Sequence, residues 1–116
     1  MRYKLKVLCV FIAITICTVA MNAVAASNDK GSNELGQKVF QANCTACHDK
    51  GENTIEPTKT LKSSALKENG FNGIADIKKR VQEGKGVMPV FSDRLKVEEI
   101  NAVAGYVWAE SQKDWK

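Results

Sequence analysis

Apolar residues recur at helical spacing in four stretches of this chain, each bounded by residues that start or stop helices. In the first, Leu35, Val39 and Phe40 form a stripe that starts near Ser32 or Asn33 and runs toward Asn43. Gly36 and Phe40 share a face at i, i+4. Asp49 to Lys59 is rich in Gly, Glu, Asn, Thr and Pro and predicts a loop. Leu61 to Asn69 predicts a short helix stopped by Asn69-Gly70. Asn72 offers an N-cap to a helix over Gly73 to Glu83, with Ile74, Ile77 and Val81 inward and Gly84 at its end. The last helix spans Val97 to Ser111, with Val97, Ile100, Val103, Ala104 and Val107 inward. Glu98 and Glu99 suit its positive end, whereas Lys96 is a poor N-cap residue. No stretch alternates with a period of two, so the expected class is all-α: about four helices joined by loops.

The pattern before Ser27 is different. Arg2, Lys4 and Lys6 precede an uncharged apolar run from Val7 that ends near Ala23-Val24-Ala25. A charged start, an apolar centre and an A-x-A end describe a secretory signal peptide over residues 1–25. The alternative is an uncleaved membrane anchor, against which Thr15, Thr18 and Asn22 dilute the run. Bulky Ile16 before Cys17 argues against a lipoprotein signal. Removal leaves 26–116 as one small domain, with no stable membrane insertion. It also takes Cys9 and Cys17, leaving Cys44 and Cys47. The leader carries three cations and no anion, so the net charge of +4 falls to about +1 without it. No basic stripe with interleaved aromatics remains to suggest nucleic acid. A domain of this size buries a modest core, which a bound apolar group would extend.

Candidate chemistry begins at Cys44-Thr45-Ala46-Cys47-His48. Two cysteines spaced by two and followed at once by histidine read as the attachment site of a c-type haem. Each thiol adds across a porphyrin vinyl group, and one helical turn lets Cys44 and Cys47 reach one macrocycle edge. His48 then serves as an axial iron ligand. Zinc would need further ligands, and His48 is the single histidine of the chain. A redox CxxC belongs in a βαβ pattern that is missing here.

Met88 is the one methionine left after the leader, since Met1 and Met21 lie within it. Pro89 restricts it to extended backbone, which suits a loop strapped across a haem face. Met88 is therefore the expected second axial ligand. The alternatives are a gap-filling core methionine or a lysine ligand. A soft thioether favours ferrous iron over ferric, and a filled sixth position leaves no place for a substrate. The chemistry expected is one-electron transfer, with no catalytic residues and no enzyme activity. His48 should donate its other ring proton to a backbone carbonyl, for which the loop around Pro57 is the candidate.

With these residues in view, the sequence resembles the class I cytochromes c, and among them the cytochrome c6 group, over nearly all of Asn33 to Trp115. Gly36 with Phe40 resembles the first helix of that family, and Val103 with Tyr106 the final-helix positions packed against it. GENTIEPTKTL (Gly51 to Leu61), ALKENG (Ala65 to Gly70), EGKGVMPVF (Glu83 to Phe91) and the terminal Asp114-Trp115 are similar to c6 segments. One departure stands out: Arg80 occupies a position where the family commonly has glutamine near the haem. A cation there would favour reduced iron or pair with a propionate; otherwise Arg80 is a snorkelling side chain.

The resemblance implies a small class I cytochrome c fold wrapped around one covalent haem c, held by Cys44 and Cys47 and ligated by His48 and Met88. It implies a soluble monomeric shuttle taking electrons from cytochrome f to photosystem I in a plastid or cyanobacterial thylakoid lumen. Val87, Val90 and Phe91 could form an apolar docking rim, and Lys78, Lys79, Arg80 and Lys85 a basic cluster for an acidic partner. Two rivals remain. One is a periplasmic small cytochrome c feeding a terminal oxidase or reductase; the other is a haem enzyme or gas sensor in which Met88 detaches.

Overall fold

In the computed structural model, residues 29–116 are described, so the signal-peptide expectation over 1–25, with Cys9 and Cys17, lies outside the described residues. The body that carries the motifs is Ser32–Lys116. In this body helix α1 covers residues 32–43. The haem motif continues it after a break at Cys44 as a one-turn helix, α2 (Thr45–His48). A single 3-10 turn over Asp49–Gly51 follows. The remaining helices are α3 (Ser63–Glu68), α4 (Ile74–Glu83) and α5 (Val97–Gln112). Among the described residues there is no strand, only an isolated bridge between Lys85 and Met88. The all-α expectation holds, with the short α2 added to the four helices anticipated.

The core lies where α1 and α4 meet α5. Val39, Phe40, Ile77, Val81, Ile100, Val103 and Val107 are all buried. Gly36 sets the approach of α1 to α5: a Cβ there would lie 2.3 Å from the Ala102 carbonyl oxygen and 2.7 Å from the Tyr106 Cβ. Phe40 and Tyr106 then stack with ring centroids 5.5 Å apart. The family-like crossing is thus present in atomic detail.

Two apolar residues expected inward are not. Ile74 is 45% exposed and Val97 62% exposed. Each is the first residue of its helix, so the stripe it continues turns out past the end of the packed face. The cap of α4 is also shifted. Gly73 holds that position, and the Asp76 carboxylate accepts the Asn72 amide proton at 2.8 Å. The weakness at Lys96 is offset in the same way: its backbone N–H donates to the Glu99 carboxylate at 2.8 Å, half of a capping box. Helix α3 ends as Asn69-Gly70 foretold. The Phe71 N–H bonds to the Leu66 carbonyl at 2.9 Å and the Gly70 N–H to Lys67 at 3.1 Å, a Schellman pair.

Candidate haem site

The haem motif is anchored to α1 by backbone bonds. The Cys44 N–H donates to the Phe40 carbonyl at 2.9 Å, and the His48 N–H to the Cys44 carbonyl at 2.8 Å. Cys44 is half-buried and Cys47 exposed, and neither is in a disulfide. Before haem attachment, burial, with a smaller contribution from Cys47, pushes the Cys44 thiol up to about 11.

His48 Nδ1 lies 3.0 Å from the Glu52 carbonyl oxygen. A carbonyl can only accept, so the proton is on Nδ1 and Nε2 carries a lone pair. The acceptor is therefore Glu52 rather than a carbonyl near Pro57. The reason is local. The 3-10 turn reverses the chain directly after His48, with the Glu52 N–H on the Asp49 carbonyl at 3.0 Å, and brings the Glu52 carbonyl to the ring's Nδ1 edge. Beyond it the loop is tied down twice, by the Thr54 N–H to the Cys47 carbonyl at 3.1 Å and by the Leu61 N–H to the Gly51 carbonyl at 2.7 Å. Asn53 closes the bend: its side-chain oxygen accepts from the Ile55 and Glu56 amides, and its nitrogen donates to the Lys59 carbonyl.

Met88 sits in a tight turn. Lys85 and Met88 exchange backbone hydrogen bonds of 3.1 and 3.0 Å. Gly84, at the end of α4, leaves room for this strap: a Cβ there would lie 2.6 Å from the Met88 carbonyl oxygen and 2.8 Å from the Pro89 carbonyl. The far end is pinned by the Phe91 N–H on the Val81 carbonyl at 3.1 Å. Met88 is half-buried against the core. Phe91 is buried at 6% and belongs to that core, not to a docking rim. Val87 and Val90, at 74% and 43% exposure, do face solvent. The sequence marked Gly84 only as a helix stop; its seating of the strap has no signature beyond the Glu-Gly pair.

The donor set suits a covalent haem: two thiols one turn apart, an imidazole with its tautomer fixed, and a thioether on a braced strap. Among the described residues no three His, Cys, Asp or Glu side chains gather as a metal cluster.

Comparisons with known proteins agree. Cytochrome c6 of Porphyra purpurea is 44% identical over 115 residues, covering 99% of this chain and all of that protein. The chain belongs to the cytochrome c6 family. Cytochrome c6 of Bumilleriopsis filiformis is 46% identical over 82 residues, 71% of this chain and 95% of that protein. The solved structure of cytochrome c6 from the diatom Phaeodactylum tricornutum matches with a TM-score of 0.69 and 43% identity, over 71% of this chain and 97% of that one. A family model described as cytochrome C oxidase, cbb3-type, subunit III matches residues 31–107. As a cytochrome c6 the chain is an electron carrier with one covalently bound haem c, and not an enzyme. Among the described residues no helix is long and apolar enough to cross a membrane.

Arg80 is half-buried, its guanidinium carbon 5.2 Å from the Phe71 ring centroid. Among the described residues it has no carboxylate partner within ion-pair distance. A cation stacked on an apolar ring and left without a counter-ion acts on its surroundings at reduced screening. Arg80→Gln is expected to lower the midpoint potential by on the order of tens of millivolts. Potentiometric titration of the two proteins checks this, and an equal or higher value in the variant dismisses a tuning role.

Proposed function

We propose that Cys44 and Cys47 carry the haem as thioethers, that His48 and Met88 are the axial ligands, and that the protein shuttles electrons from cytochrome f to photosystem I. The observation that carries the ligand assignment is the His48 Nδ1 to Glu52 carbonyl bond, which directs Nε2 and its lone pair away from the loop. When bound, the haem supplies a centre that gains and loses one electron. The Glu52 carbonyl keeps the His48 ring in one tautomer and orientation and increases its donor strength. Met88 offers a soft thioether, which favours the ferrous state relative to a second imidazole. The bond pair between Lys85 and Met88 limits how far that side chain moves between oxidation states.

Exposed Val87 and Val90 flank Met88 in the chain and supply an apolar rim for brief contact with a partner. Lys78 and Lys85 lie on α4 and the strap after it, placed to steer an acidic surface. The leader over 1–25 sends the chain to a thylakoid lumen and is then removed, leaving a soluble monomer. Support comes from the Bumilleriopsis filiformis relative, which is spanned almost end to end by 71% of this chain.

The test is kinetic. Flash-oxidised photosystem I should be re-reduced by the ferrous protein in a second-order reaction. Reversing charge at both Lys78 and Lys85 should slow it about tenfold at low salt and flatten its salt dependence. A flat response to both changes dismisses the steering role. The match of residues 31–107 to the cbb3-type oxidase subunit III family supports a second reading, a donor to a terminal oxidase. That reading predicts turnover by oxidase-containing membranes and no reduction of photosystem I.

A further inference from the structure

Trp115 lies 54 positions from Leu61 in sequence, yet its indole Nε1–H donates to the Leu61 carbonyl at 3.0 Å. The same ring fills the space beside Gly51, where a Cβ would lie 2.3 Å from the indole Cδ1 and 2.4 Å from Nε1. Gly51 also has a φ of +76°, so glycine alone meets both demands. Toward the core, the indole meets Phe40 at 5.0 Å and Tyr106 edge-on at 6.0 Å between centroids. Trp115 thus joins the α1–α5 crossing to the loop after the haem motif.

The tail adopts costly backbone to reach this position. Asp114 and Trp115 are consecutive non-glycine residues at φ of 52° and 59°. Left-handed backbone is rare for a bulky side chain and persists where its surroundings over-determine it. The Trp115 N–H bonds to the Glu110 carbonyl at 3.0 Å, and the ring contacts supply the rest.

Both points that the indole clamps bear on Glu52. Gly51 directly precedes it, and Leu61 donates to the Gly51 carbonyl at 2.7 Å. The carbonyl of Glu52 itself takes the His48 proton. We infer that Trp115 is a positioning residue for the iron ligand: it fixes the Gly51–Leu61 loop and, through it, the Glu52 carbonyl that orients His48. This deepens the proposed site and rests on the reading of His48 as a ligand. A plain core aromatic would stabilise the whole fold equally and have no particular hold on His48.

Nuclear magnetic resonance of the ferrous holoprotein separates the two, using deuterium exchange of the His48 Nδ1 proton, the Leu61 amide, and the Ile77 and Val81 amides of α4 as reference. Trp115→Phe keeps a ring against Phe40 and deletes the N–H donor; Trp115→Leu removes the ring as well. In Trp115→Phe the His48 and Leu61 protons should exchange about fivefold faster, with α4 unchanged. The midpoint potential should rise, because a weaker bond to Glu52 makes His48 a poorer donor. Unchanged exchange at His48 and Leu61, or equal acceleration in α4, overturns the inference. If Trp115→Leu does not fold, the Phe variant alone decides. The ligand reading is judged separately, by whether the wild-type His48 ring protons show the large upfield shifts expected of an imidazole bound to haem iron.

Discussion

Met88→Ala is expected to lower the midpoint potential by about 100–200 mV, a fraction of the roughly 0.8 V over which axial ligation moves haem potentials. In the proposed site the thioether favours ferrous iron, and its replacement by water or a lysine amine would remove that preference. The same variant should bind carbon monoxide in the ferrous state, whereas the wild-type protein should refuse it. The polypeptide itself should tolerate the change. The strap is held by the Lys85–Met88 backbone pair, by Gly84 and by the Phe91 N–H, none of which uses the methionine side chain. A Met88→Ala protein that keeps its potential and still excludes carbon monoxide rules out Met88 as the ligand. Carbon monoxide binding by the wild-type protein would instead favour a gas-binding role.

Gly36→Val is expected to be the most damaging single change in the helical framework. Helix propensity alone favours replacing a mid-helix glycine, by up to about 1 kcal/mol for alanine. At Gly36 that gain is overridden, because the new Cβ would sit 2.3 Å from a carbonyl oxygen of α5, a backbone atom that cannot rotate away. Forcing the helices apart also separates Phe40 from Tyr106 and Trp115. Overpacking of this kind costs about 3 kcal/mol. At ~4–8 °C per kcal/mol for a domain of this size, Tm should fall by about 12–24 °C. Gly105 supplies the contrast. It is interior to α5 with open space where a Cβ would go, so Gly105→Ala should raise Tm by a few degrees. Calorimetry of the holoproteins checks both signs, and a Gly36 variant as stable as the wild type would mean that the close crossing does not form.

The sequence announced the parts of this molecule that depend on residue identity at short range. The helical stripes, the Asn69-Gly70 stop and the Cys44–His48 haem motif belong to that class. It was silent where backbone atoms or distant partners decide. The Glu52 carbonyl is chosen by a 3-10 turn and not by its side chain, so the residue pattern points to the loop around Pro57 instead. Trp115 carries no local sign that its indole meets Gly51 and Leu61. Ile74 and Val97 fit their stripes by spacing, but periodicity does not show where packing along a helix stops. Phe91 misled for the opposite reason: it follows the exposed Val90, yet its amide bond to Val81 turns it into the core.

The claim on which the rest depends is that one imidazole and one thioether of this chain hold the iron. The most direct measurement is the proton spectrum of the ferrous, diamagnetic holoprotein with labelled methionine and histidine. Ligation by Met88 and His48 predicts the Met88 methyl signal and the His48 ring signals far upfield of their ordinary positions, driven there by the porphyrin ring current. A Met88 methyl at the position of an ordinary core methionine would contradict the account.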